Sequence, residues 1–134
     1  MSRVAVITDS CASIPESILT ALKIRWVPYY IHRGQEVLRD LVTVQRDAFY
    51  RWLPTARELP QTASPGPGDY IQLYEEVAQE EGTDEIISIH MTSKGSGAFQ
   101  AASIARSTLR ERLPDLKIEV LDTLNVSMCQ GWMV

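Results

Sequence analysis

The sequence predicts an α/β fold, a mostly parallel sheet of about four strands flanked by helices. Three observations carry that prediction. Short, mostly apolar runs such as "VAVIT" and "IISI" have the length and β-branched content of strands buried on both faces. Longer segments between them repeat their apolar residues at helical spacing. The two kinds alternate along the chain, the order of βαβ units.

Each element has its own justification. "RVAVITDS" reads as a buried strand over residues 3–8, closed by Asp9 and Ser10. In "SIPESILTALKI", Ser13 is the expected N-cap, Pro15 suits the first turn, and Ile18, Leu19 and Leu22 form one face. "RWVPYYIHR" is a second strand, which Pro28 pushes toward an edge or an irregular form. "RGQEVLRDLVT" reads as a turn and short excursion. Thr43 then caps a helix carrying Val44, Phe49, Trp52 and Leu53, and Pro54 ends it.

Residues 58–69, "ELPQTASPGPGD", hold three prolines and two glycines, which exclude both helix and central strand. "GDYIQLYEEVAQEEG" is a helix with Asp69 in its first turn and Gly82 as its stop. "DEIISIHM" is a third strand, "SGAFQAASIARSTLRERL" a long helix and "KIEVLDT" a fourth strand. "NVSMCQGWMV" begins a further helix. No internal repeat or low-complexity segment interrupts the series.

A chain of 134 residues, 45% apolar and 22% charged, fits one soluble domain able to bury a core without disulfides or metal. Thirteen basic against seventeen acidic residues leave a net charge of −4, which speaks against a nucleic-acid partner. No apolar stretch approaches the ~20 residues of a membrane span, and no signal peptide opens the chain, so a cytoplasmic location is expected. Cys11 and Cys129 lie far apart with no CxxC, and two unpaired thiols are expected.

In open α/β sheets, ligands sit beyond the carboxyl ends of the strands. Thr8-Asp9-Ser10, Thr92-Ser93 and Asp122-Thr123 follow three of the strands and should gather at one edge, joined by "TASPGPG". In "IHMTSKGSGAFQ" a strand hands over to a helix whose free N–H groups and positive end favour an anion. Hydroxyls of Thr92, Ser93 and Ser96 can add bonds worth ~1.5–3 kcal/mol each to a charged acceptor. Gly95 and Gly97 let the backbone approach closely. A carboxylate or phosphate fits. Taken alone, the stretch reads first as an ordinary helix cap, since short motifs match by chance.

Other chemistry stays open at this level. His90 reads as a base or as a satisfied structural histidine. Asp9 and Asp122 read as paired carboxylates, as metal ligands, or as local caps for backbone N–H groups. Neither nucleotide phosphate loop motif, GxxxxGK[ST] or GxGxxG, is present. A small α/β enzyme acting on a phosphorylated or carboxylated metabolite, with Asp9 or His90 as acid–base, is the alternative function.

Taken together, four segments resemble the DegV family, fatty-acid-binding proteins that serve bacterial fatty acid kinases. They are "VITDSCASIP", "LPQTASPGPGDYIQLYEEV", "IISIHMTSKGSGAFQAASIA" and "IEVLDTLNVSMCQGWMV", in register over nearly the whole chain. The resemblance implies a long-chain fatty acid whose carboxylate is held by Thr62 and Ser93, with the acyl chain in an apolar tunnel. Thr92, Ser96, Gly97, Asp9 and Ser10 complete the expected ligand-binding set. It also implies a carrier rather than an enzyme, with no catalytic residue, metal or cofactor, presenting its acid to a fatty acid kinase subunit. Departures stand at Ala63, Ser64 and Gly66, where the family usually has Ser, Gln and Ser, and at Gly95 and Ala98, where it has Leu and Thr. Family members are longer, so residues 1–134 are expected to be the N-terminal domain without the lipid-covering C-terminal one. Apolar surface left exposed is then expected to favour a homodimer.

Overall fold

The computed structural model describes residues 4–134, so the expected start of the first strand at Arg3 lies outside the described residues. The chain runs through β1 (Val4–Asp9), a 3-10 turn at Ser10–Ala12, α1 (Glu16–Leu22), β2 (Arg25–Val27), β3 (Tyr30–Arg33) and β4 (Glu36–Arg39). It continues through α2 (Arg46–Trp52), a 3-10 turn at Leu53–Thr55, β5 (Gln61–Ala63) and α3 (Pro67–Glu81). Then come β6 (Glu85–His90), α4 (Ala98–Arg112), β7 (Lys117–Asp122) and α5 (Met128–Gly131).

The predicted parallel sheet is present, in the order β2-β1-β6-β7 with every pair parallel. Its register sets Ala5 beside Ile86 and Ile86 beside Ile118. Successive strand residues face opposite sides, so β1 serves two layers. Ala5 and Ile7 join the main core with Tyr70, Tyr74 and Val77 of α3 and the alanine stripe of α4. That stripe, Ala98, Ala101, Ala102 and Ala105, follows helical spacing and is buried throughout, letting the helix lie close to the sheet. Val6 instead packs against a smaller cluster of Ala12, Ile14, Leu19 and Ile24, which seats α1 on the other face.

The second predicted strand is divided. Pro28 has no N–H to offer, and β2 ends at Val27. Beyond it, β3 becomes the centre of a separate antiparallel sheet, β4-β3-β5. The excursion read from "RGQEVLRDLVT" contains β4, joined to β3 by a tight turn through Gly34 at φ 60°. In the proline-rich stretch, β5 is an edge strand paired only with β3, as its composition requires.

Two expected helix caps lie elsewhere. Ser13 is left-handed at φ 57° and closes the 3-10 turn, while α1 starts after Pro15. Gln45 precedes α2, and Thr43 instead accepts the Arg39 N–H at 2.7 Å. At α3 the acidic first turn acts directly, because Asp69 Oδ2 accepts the Gly66 N–H at 2.8 Å. Gly82, left-handed at φ 60°, stops that helix. No helix among the described residues is long and apolar enough to cross a membrane.

Candidate functional site

A cavity of about 380 Å³ opens where the two sheets meet. Cys11 and Met91 reach it from the ends of β1 and β6, Tyr29 and Ile31 from the start of the antiparallel sheet, and Asp40 from beyond β4. Thr62 and Ser64 line it from β5 and the following loop, and Gly95, Ser96 and Gly97 from the approach to α4. Thr62 stands directly across from Ile31 in the β3–β5 register, and such pairs share a sheet face. The two loops touch: a Cβ added at Gly97 would lie 3.1 Å from Ser64 Oγ. Of the predicted site residues, Thr62, Ser96 and Gly97 are therefore brought to one cavity.

Asp9 and Ser10 are buried behind it. Asp9 Oδ1 accepts the Cys11 N–H at 3.0 Å, and Oδ2 accepts the Met91 N–H at 3.0 Å and faces His90 Nδ1 at 3.0 Å. One carboxylate thereby ties the ends of two strands and aims both sulfur residues at the cavity. The polar chain continues inward, with His90 Nε2 2.6 Å from Ser88 Oγ and the Tyr74 hydroxyl donating to Ser88 at 2.7 Å. His90 Nδ1–H to Asp9, Ser88 O–H to Nε2 and Tyr74 O–H to Ser88 give every donor an acceptor. His90 is wholly buried, the satisfied structural role that its strand position allowed. Ser10 Oγ accepts the Tyr29 N–H at 3.0 Å, and its carbonyl accepts from Arg46 at 2.6 Å.

Thr92 and Ser93 face a different neighbour. The Thr92 N–H reaches the Asn125 carbonyl at 3.0 Å, and its hydroxyl oxygen accepts from Lys94 N–H at 3.3 Å. Ser93 is exposed, and its N–H donates to Asp122 Oδ1 at 3.1 Å. Neither residue lines the cavity. Burial alone would raise the pKa of Asp122, but bonds from the Ser93 side chain and the Leu124 and Ser93 backbones outweigh it and hold the carboxyl below its ordinary value.

The cavity floor is mixed in character. Tyr29 Oη meets Ser96 Oγ in a short hydrogen bond and lies 3.7 Å from Met91 Sδ. Burial, then the Asp9 and Asp40 charges, push the Cys11 thiol up to about 12, so it stays protonated and apolar at neutral pH. Asp40 carries the only carboxylate in the lining, paired with Arg46 at 3.3 Å. Tyr29, Ile31, Cys11, Asp40, Ser64 and Met91 were not among the residues expected to line a site. Nothing in the local pattern marks Tyr29, which lies in what reads as a continuous strand, and only the break at Pro28 turns it toward the seam.

Concavities of about 390 and 560 Å³ meet at Trp26 on the outer side of β2 and hold none of the predicted site residues. Among the described residues, no group of three His, Cys, Asp or Glu side chains is placed to hold a metal ion. Cys11 and Cys129 are both free.

The family model described as "Uncharacterised protein, DegV family" matches residues 3–134. A DegV domain-containing protein of Caldanaerobacter subterraneus is 30% identical over 134 residues, which is all of this chain and 45% of that protein. Protein DegV of Bacillus subtilis is 35% identical over 104 residues. The crystal structure of DegV from Bacillus subtilis, described there as a fatty acid binding protein, superposes with a TM-score of 0.88 at 30% identity. The match covers 98% of this chain and 45% of that one. A Thermus thermophilus DegV family protein, studied for its fatty acid binding, superposes with a TM-score of 0.83 at 27% identity over 98% of this chain and 44% of its own. This chain thus spans less than half the length of these relatives. From residue 3 to its last residue, the chain belongs to the DegV family.

Proposed function

We propose that this chain binds a long-chain fatty acid in the cavity at the seam of its two sheets. One observation carries the reading. Thr62 and Ser96, distant in sequence, line the same cavity with Ile31 and Met91, so hydroxyl donors and apolar walls meet in one place. Gly95, Ser96 and Gly97 also bring the start of the fifteen-residue α4 to it, and a helix N-terminus favours a carboxylate. Acyl burial at ~0.8 kcal/mol per CH₂ supplies most of the affinity, and the hydroxyls supply orientation. The fatty acid binding described for the Bacillus subtilis and Thermus thermophilus relatives supports the same reading.

Thr62 and Ser96 are the head-group donors in this proposal, with Gly97 leaving room beside them. Ser93 joins them by exchanging its bond to Asp122 for the ligand, and Thr92 follows on the same loop. Asp9 and Ser10 act from behind, by fixing Cys11, Met91 and Tyr29. The chain is a carrier, not the catalyst, and its partner is a kinase subunit that phosphorylates the presented carboxylate. Exposed apolar side chains, Leu59 and Trp132 among them, favour a homodimer, which sedimentation at rising concentration checks.

Mass spectrometry of molecules extracted from the purified, undenatured protein tests the binding directly. A stoichiometric long-chain fatty acid is expected, with its amount falling in Thr62→Ala. Retention of a different ligand class overturns the reading.

A further inference from the structure

Two hydroxyls share the cavity floor, and their protons do not balance. Tyr29 is 8% exposed, and its oxygen meets Ser96 Oγ in a bond in which either side can donate. The tyrosine backbone is held on both sides, its N–H by Ser10 Oγ at 3.0 Å and its carbonyl by the Asp40 N–H at 3.0 Å. Ser96 Oγ also accepts the Ala98 N–H at 3.1 Å.

The pair owns two O–H groups, and its mutual bond uses one. If Ser96 donates, the Tyr29 proton meets only sulfur: Met91 Sδ at 3.7 Å and the Cys11 thiol. Both are weak acceptors. If Tyr29 donates, the Ser96 proton has no acceptor among the hydrogen bonds of the described residues. In both arrangements one O–H is left without a strong protein acceptor and stays available to a ligand in the cavity. Burial raises the phenol well above its ordinary value, so it keeps its proton at any working pH.

We propose that the Tyr29–Ser96 pair is the head-group selector of the cavity, giving its spare O–H to one oxygen of a singly charged carboxylate. A carboxylate oxygen accepts a stronger, charge-assisted bond than an ester or alcohol oxygen. This inference rests on the fatty-acid reading and names the group that discriminates head groups within it.

Tyr29→Phe combined with Ser96→Ala keeps the ring and removes both O–H groups, because either hydroxyl left alone still has a proton to give. Calorimetric titration of oleate and methyl oleate into the wild type and the variant tests the pair, with a thermal melt confirming the fold. Oleate affinity is expected to fall roughly tenfold and methyl oleate affinity to stay nearly constant. If that double variant does not fold, the wild-type ratio of oleate to methyl oleate affinity carries the comparison, and a ratio near one overturns the inference. An equal loss for both ligands makes Tyr29 and Ser96 packing residues and overturns the inference. An unchanged oleate affinity overturns it while leaving the fatty-acid reading standing. Wild-type protein that takes up no oleate overturns both.

Discussion

The parallel and antiparallel sheets bury their chain to very different depths. In β1, Ile7, Thr8 and Asp9 are almost inaccessible, and Tyr70, Tyr74 and Val77 of α3, which share a core with Ile7, are wholly buried. In the antiparallel region, Val37 is 57% exposed and Leu59 86%, and α2 has no buried residue. The cavity lies between them. One wall, at Cys11, Met91 and Ser96, is tied to the deep core through Asp9 and the start of α4. The other, at Asp40 and Thr62, stands on a thin sheet that only Ile31 anchors in burial. Such regions open at low free energy, and a ligand that bridges both walls stabilises the weaker one. The site is thus a rigid donor frame facing a yielding wall.

The largest effects come from breaking this contrast at its deep side. Ile7→Ala is expected to lower unfolding free energy by about 2–5 kcal/mol, and Val37→Ala to stay within about 0.5 kcal/mol, as urea midpoints will report. Asp9→Ala strips an acceptor from the Cys11 and Met91 N–H groups and from His90, and is expected to cost about 3 kcal/mol in the same assay. Gly131→Ala places a Cβ 2.5 Å from the Ala12 carbonyl oxygen, a backbone atom that cannot turn aside. A loss of about 1–3 kcal/mol is expected.

Smaller effects sharpen the comparison. Exposed Cys129 is expected to alkylate quickly and Cys11, held near 12 by burial, slowly, with oleate slowing Cys11 further. Mass-resolved labelling with iodoacetamide reads both rates. The smallest change belongs to Asp122. Its carboxyl sits below the ordinary range in the folded state, so its contribution is present above the unfolded value and is lost as pH falls through the lowered one. Asp122→Asn is expected to remove that segment of the stability-against-pH curve.

What the sequence allowed to be read follows the same division. Strands β1 and β6 were legible because burial on both faces leaves a nearly unbroken apolar run, β7 because Ile118 and Val120 alternate with exposed Glu119 and Leu121, and helices α3 and α4 because a helix face leaves its spacing. The antiparallel sheet was not, since β4 reads EVLR and β5 reads QTA, too short and too exposed to carry periodicity. The site divided likewise. Ser96 and Gly97 announced themselves through loop chemistry and Thr62 through the family resemblance, whereas Tyr29 and Ile31 enter only because Pro28 redirects the chain from one sheet to the other. Left-handed Ser13 shows a further limit, since a good capping residue before a helix was drawn into the preceding turn instead.

The claim beneath these readings is that the acid binds between the two sheets, and amide chemical shifts followed by NMR during an oleate titration test it most directly. The account predicts that the amides of Tyr29, Thr62, Ser64, Ser96 and Gly97 move together and saturate at one equivalent. Shifts gathered instead around Arg25, Trp26 and Glu76, on the outer side of β2, would contradict it.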